Sequence, residues 1–161
     1  MVILLMGVTG AGKTTVGRLL AAELNWPFYD GDDFHPPANL ARMARGEPLA
    51  DEDRWPWLER LRDLIAGLLA RDESAVVACS ALKSSYRRAL GVDDCSVRLV
   101  YLQGDYALIR SRLAQRRGHF AGEALLQSQF DTLQEPHRAV TIEAALEPEE
   151  IVARIRRALA V

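Results

Sequence analysis

The stretch Gly7-Val8-Thr9-Gly10-Ala11-Gly12-Lys13-Thr14 satisfies the pattern G-x-x-x-x-G-K-[ST] at every position. It follows an apolar run that begins at Val2 and precedes Val16, Leu19, Leu20, Ala21 and Leu24, which recur at helical spacing. Strand, glycine-rich turn and helix are therefore expected in that order. Glycines let successive backbone N–H groups curl around phosphate oxygens, and the dipole of a helix starting at Lys13 adds positive potential at the same point. Residues Gly7 to Thr14 and the adjoining Thr15 are expected to hold the phosphates of a nucleotide. Lys13 should reach the β- and γ-phosphates, with the Thr14 hydroxyl placed for Mg²⁺.

Beyond this loop the chain keeps alternating between strand and helix. Phe28 to Asp30, Ala75 to Cys79, Val97 to Leu102 and Ala139 to Ile142 read as further strands. A helix with the stripe Leu58, Leu61, Leu64, Ile65 and Leu68 starts near Asp51 to Pro56, where acidic residues suit its dipole and Pro56 suits its first turn. Others are expected over Lys83 to Leu90, from about Asp105 to Arg116, up to Gln129, and at the end of the chain through Ile151, Val152, Ile155 and Leu159. Such alternation predicts an α/β fold: a parallel five-stranded sheet with helices on both faces and ligands beyond the carboxyl ends of the strands. With 161 residues and no Gly-, Ser- or Pro-rich linker, residues 1–161 are expected to form one domain.

A nucleotide loop leaves open whether phosphate goes to water, a protein switch or a small acceptor. No Asn-Lys-x-Asp segment occurs to read guanine, and the strand Ala75 to Cys79 runs into Ser80-Ala81-Leu82 instead of the acidic residue typical of ATPases. Twenty Lys and Arg against 22 Asp and Glu give a formal charge of −2, so no global basic field favours nucleic acid or an anionic membrane. The first apolar run is too short for a signal peptide or a span, and the expected location is cytoplasmic. Cys79 and Cys95 lack metal-ligand spacing and are expected as reduced thiols without a catalytic role.

Asp30, Asp32 and Asp33 follow the second strand, on the side of the sheet where the phosphate loop lies. Three neighbouring carboxylates repel one another unless a cation or a proton relieves them. Asp30 is expected in the water shell of Mg²⁺ and Asp32 at an acceptor hydroxyl, as general base or orienting group; Asp33 is expected outside the reacting set. Kinases of small molecules also need cations that close over the phosphoryl group. Arg112, Arg116 and Arg117, at the end of a helix and the start of a polar interruption, suit that lid role, with Arg112 and Arg116 also facing ATP.

The string Phe28-Tyr-Asp-Gly-Asp-Asp-Phe-His-Pro-Pro-Ala-Asn39 resembles the hallmark segment of bacterial-type gluconokinases, relatives of shikimate and nucleoside monophosphate kinases. The likeness continues in Leu49-Ala-Asp-Glu-Asp-Arg54-Trp-Pro-Trp-Leu58, Cys79-Ser-Ala-Leu-Lys83-Ser-Ser-Tyr-Arg87, Tyr101-Leu-Gln-Gly104, Arg116-Arg-Gly-His-Phe120 and Leu125-Leu-Gln-Ser-Gln-Phe130. It implies a P-loop fold like that of shikimate kinase with a lid at about 116–130. It also implies phosphoryl transfer from ATP to the 6-hydroxyl of D-gluconate, Mg²⁺ as cofactor, and a homodimer. By the same resemblance Asp32 matches the acidic residue at the sugar hydroxyl, and Arg54 the arginine that holds the acceptor carboxylate in related shikimate kinases. His35, Lys83, His119 and Gln129 are further candidate contacts, and Trp55 and Trp57 read as packing residues. The chain departs from the family pattern at Ala121-Gly122, where a bulky apolar residue and a proline are usual, and near Gln134-Glu-Pro-His137, where the acidic loop is short. A kinase for another small acceptor and an ATP-binding module without acceptor chemistry are the competing readings.

Overall fold

The computed structural model describes residues 1–92, 95–115 and 122–161, with side chains from 124 onward in the last stretch. Five strands, β1 (Val2–Met6), β2 (Phe28–Asp30), β3 (Ala75–Ala78), β4 (Val97–Gln103) and β5 (Val140–Glu143), form one sheet in the order β2-β3-β1-β4-β5. All four pairings are parallel. Parallel neighbours need crossovers, and the helices supply them: α1 (Lys13–Leu24), α2 (Pro37–Ala44), α3 (Asp51–Ala70), α4 (Ser84–Ala89), α5 (Tyr106–Gln115), α6 (Gly122–Thr132) and α7 (Pro148–Leu159).

The period of two in β1 divides the core. Ile3 and Leu5 face a layer with Val16 and Leu20 of α1, Ile109 of α5 and Ile151, Val152 and Ile155 of α7. Val2, Leu4 and Met6 face a second layer with Trp57, Leu58, Leu61, Ile65 and Leu68 of α3 and Tyr86 of α4. Every residue of β1 is buried, which explains why the strand reads as a continuous apolar run. Truncating a residue such as Leu61, with no exposed surface, should cost about 2–5 kcal/mol of stability.

Three local features differ from the sequence reading. Pro56 is the sixth residue of α3 and lies inside the helix, so the carbonyl of Glu52 lacks its usual donor one turn on. The start of α3 is made by Asp53 instead, whose carboxylate accepts from the Ala50 backbone N–H at 2.8 Å. Helix α2, with Pro37 in its first turn, was not signalled by a long apolar stripe. It is tied to the start of α3 by Arg42, which donates to the Asp53 carboxylate at 2.6 Å, and by Asn39, which donates to the Asp53 carbonyl at 2.7 Å. Third, α6 runs past Gln129 to Thr132.

The chain leaves β1 for the edge strand β2, then returns through β3 to β4 and β5 on the other side of β1. The loops after β1, β2 and β3 therefore open on a common crevice.

Candidate active site

The loop after β1 is shaped by glycine. Gly7 has φ 150°, and a Cβ there would lie 2.8 Å from the Leu102 carbonyl oxygen, so the strand end admits no side chain. Gly12, at φ 96°, starts α1 from the left-handed region and has open space above it, where a ligand can approach the backbone. The Lys13 ammonium donates to the Val8 carbonyl at 2.9 Å, which lays it across the loop. On the next strand, Asp30 accepts from the Thr14 hydroxyl at 2.8 Å. A hydroxyl and a carboxylate side by side are oxygen donors of the kind Mg²⁺ uses, alongside waters and substrate phosphates. Among the described residues no group of three or more His, Cys, Asp or Glu is placed to hold a metal ion by itself.

Next to Lys13 lies a cavity of ≈ 570 Å³, counting its open mouth. Its lining includes Thr9, Lys13, Asp32, His35, Arg54, Ser80 and Gln129, with Met43, Leu49, Trp57 and Leu125 as apolar wall. Of the sequence candidates, Lys13, Asp32, His35, Arg54 and Gln129 thus meet around one space. Although Asp32 as a residue is exposed, its carboxyl is crowded by protein, and the loss of water raises its pKa above the ordinary carboxylate value. The positive charge of Lys13 opposes that rise, and Asp30 and Asp33 add to it. Gln129 accepts from the Thr9 backbone N–H at 2.6 Å, joining α6 to the phosphate loop.

Arg54 is held by the protein before any ligand arrives. Its Nε and Nη2 donate to the Leu49 carbonyl at 3.3 and 3.1 Å, and its guanidinium lies 5.6 Å from the centre of the Tyr86 ring. Tyr86 in turn donates a short hydrogen bond to Asp51, and both Asp51 oxygens accept from Lys83 at 2.8 Å. Those bonds from Lys83 and Tyr86 hold the Asp51 carboxyl below its ordinary pKa, while burial, and then Asp51, push the Tyr86 hydroxyl up. Lys83 is thus engaged with Asp51 and is absent from the cavity lining.

Trp57 is buried and donates its indole N–H to the Gly31 carbonyl at 2.7 Å, packing and lining the cavity at once. Trp55, read as a packing residue, is 41% exposed and touches Tyr86 only edge-on. Arg112 donates to the Ala144 carbonyl at 2.6 Å and lines a second recess on the far side of the loop, with Gly10, Gly12 and Thr15. Cys79 is a free, buried thiol whose pKa burial raises to about 12, too high for a nucleophile. Arg116, Arg117, His119 and the Ala121 departure lie outside the described residues.

Ser80, Met43, Leu49 and Leu125 were not singled out from the sequence. Ser80 carries the one available signal: it lies two positions beyond β3, at the carboxyl end where ligands bind.

The parallel sheet, the glycine loop and the adjoining cavity define a P-loop kinase of small molecules. A profile of the shikimate kinase family matches residues 9–160. Thermosensitive gluconokinase of Escherichia coli strain K12 is 47% identical over 133 residues, covering 83% of this chain and 71% of the relative. A probable gluconokinase of Mus musculus is 45% identical over 152 residues, covering 84% and 83%. Among solved structures, a gluconokinase from Sinorhizobium meliloti 1021 superposes with a TM-score of 0.87 at 41% identity, covering 98% of this chain and 90% of the other. Shikimate kinase from Aquifex aeolicus, at 22% identity and a TM-score of 0.63, shares the fold. The chain belongs to the shikimate kinase family and, within it, to the gluconokinases.

Proposed function

We propose that this protein transfers the γ-phosphoryl group of ATP to the 6-hydroxyl of D-gluconate, giving 6-phospho-D-gluconate and ADP. The observation that carries the reading is the meeting of Lys13, Asp32, His35, Arg54 and Gln129 around one cavity beside the phosphate loop. Gluconate is a chain of hydroxyls ending in a carboxylate, and the cavity has a cation at one place and a carboxylate next to the phosphate loop at another.

The phosphates of ATP belong on the backbone from Gly7 to Thr15, and the recess beside Arg112 is open to the nucleoside. Thr14 and, through water, Asp30 would hold Mg²⁺, which would supply charge neutralisation to the transferring group. Lys13 stabilises negative charge on that group. Asp32 accepts the proton of the 6-hydroxyl or aligns it for attack, and its raised pKa suits the first role. Arg54 takes the gluconate carboxylate, with its guanidinium already oriented by Leu49 and Tyr86, so less freedom is lost on binding. We assign Arg116 and Arg117 to a lid at about 116–130 that closes over the phosphoryl group, with His119 on its acceptor side. Most of the rate gain then comes from positioning and electrostatics within one kinase domain.

The assembly we infer is a homodimer in the cytoplasm, a reading supported by the family resemblance. Among the described residues no helix is long and apolar enough to cross a membrane. A coupled assay of ADP formation with Mg²⁺ tests the reaction. Gluconate-dependent turnover well above that with shikimate, or with no acceptor, is expected; faster turnover of shikimate or of a nucleoside monophosphate would overturn the acceptor.

A further inference from the structure

Asn39 ends the hallmark segment, is buried, and is not itself part of the cavity lining. Its side-chain nitrogen donates to the Asp53 carbonyl oxygen at 2.7 Å. A backbone carbonyl can only accept, so this contact fixes which end of the Asn39 amide is nitrogen. The same nitrogen lies 3.4 Å from Nδ1 of His35. With one hydrogen given to Asp53, the amide's second hydrogen is the donor available to Nδ1, and the contact is a hydrogen bond when Nδ1 presents a lone pair.

The ring of His35 has little freedom to escape that partner. It stacks on Trp57 with centroids 4.2 Å apart and planes inclined by 12°, and the Trp57 indole is itself anchored to the Gly31 carbonyl. Burial, aided by the positive charge of Arg54, lowers the His35 pKa to about 4, so the ring is neutral near pH 7. A neutral imidazole with a lone pair on Nδ1 carries its proton on Nε2. Among the described residues no buried side-chain nitrogen or oxygen lacks a partner. Nε2 has no protein partner among them and is therefore reached by solvent, and the ring lines the cavity.

We propose that Asn39 is a positioning residue that fixes His35 as the neutral Nε2–H tautomer, making it a hydrogen-bond donor to a hydroxyl oxygen of the acceptor. The inference rests on the gluconate reading for the identity of that hydroxyl, and on the geometry alone for the tautomer. A donor at this place complements Asp32, which in its charged form can only accept. Two neighbouring groups of opposite hydrogen-bonding sense orient a polyol in one direction along the cavity.

The test uses the ¹⁵N-labelled full chain near neutral pH, with long-range ¹H–¹⁵N correlation of the imidazoles. His35 is assigned by the signal missing from His35→Gln. The expected result is an unprotonated Nδ1 and a protonated Nε2 in the wild type. Asn39→Asp replaces the donor by an acceptor, so the ring should turn to Nδ1–H or become charged. The KM for gluconate should rise about tenfold, with the KM for ATP within about twofold. A wild-type His35 protonated on Nδ1 would overturn the proposal without recourse to any variant. A tautomer change in Asn39→Asp that leaves the KM for gluconate unaltered would overturn the role in acceptor binding. A wild-type enzyme with the expected tautomer and no gluconate turnover would overturn the acceptor reading and leave the tautomer assignment standing.

Discussion

Around Gly7 to Thr14 the site is made of backbone: one contiguous loop, held by glycine conformations and by the start of α1. Around Arg54 it is made of side chains drawn from the Gly31–Phe34 turn, α2, α3, the loop after β3, and α6. The first arrangement recognises what all nucleoside triphosphates share and can be carried by eight consecutive residues. The second recognises one acceptor and has to be assembled from distant segments, each oriented by its own partners. Tyr86, tied to Asp51 and through it to Lys83, lies under Arg54, while Asn39 and the cavity-wall Trp57 hold His35. A phosphate cradle tolerates change in its surroundings as long as the backbone keeps its path; an acceptor cavity does not.

The comparison breaks hardest where the halves meet. Asp32→Asn should lower kcat by about 10²–10⁴-fold while leaving ATP affinity within a few-fold, as steady-state kinetics and nucleotide titration will show. Comparable loss of ATP binding would place Asp32 on the nucleotide side. Lys13→Met should remove about 3–4 kcal/mol of transition-state stabilisation, read as a fall in kcat/KM for both substrates. A Lys13→Met enzyme with near-normal turnover would deny the lysine its role.

A smaller effect sharpens the contrast. Tyr86→Phe keeps the ring beneath Arg54 but removes the hydrogen bond to Asp51, so gluconate KM should rise a few-fold at unchanged ATP KM. Equal shifts in both would mean that the network supports the fold without orienting Arg54.

A further effect concerns stability against pH. The folded-state pKa of His35 lies near 4, below its ordinary 6.5. Between those values the unfolded chain binds a proton that the folded chain refuses. The contribution of His35 is therefore complete above about pH 6.5 and declines as pH falls toward about 4. Urea midpoints of wild type and His35→Gln should converge over that window; a constant gap would contradict the neutral, buried imidazole.

Legibility in the sequence follows the same division. The phosphate loop, the alternation of strand and helix and the five-stranded parallel sheet were readable because each rests on contiguous residues or a short period. Asp32, His35, Arg54 and Gln129 were singled out individually, but their convergence depends on how α2 and α3 pack, which no local pattern encodes. Helix α2 spans only eight residues and leaves Leu40 exposed, so its apolar stripe is too short to register. Pro56 misled for a related reason: proline favours a first turn, yet α3 continues around it because Trp57, Leu58 and Leu61 bury against the sheet. The ion pair of Lys83 was not legible, since a lysine gives no sign of its partner and Asp51 lies 32 positions away.

The account's central claim is that a carboxylate-bearing polyol is selected by side chains held in place across from the phosphate cradle. D-glucitol has the hydroxyls of gluconate and a neutral alcohol in place of its carboxylate, so the ratio of kcat/KM for the two acceptors reports recognition of that group alone. The wild type should prefer gluconate strongly, and Arg54→Ala should erase about 10–100-fold of the preference, as expected for a charge-assisted bond worth about 1.5–3 kcal/mol, while leaving the KM for ATP in place. A preference unchanged by Arg54→Ala would contradict the claim.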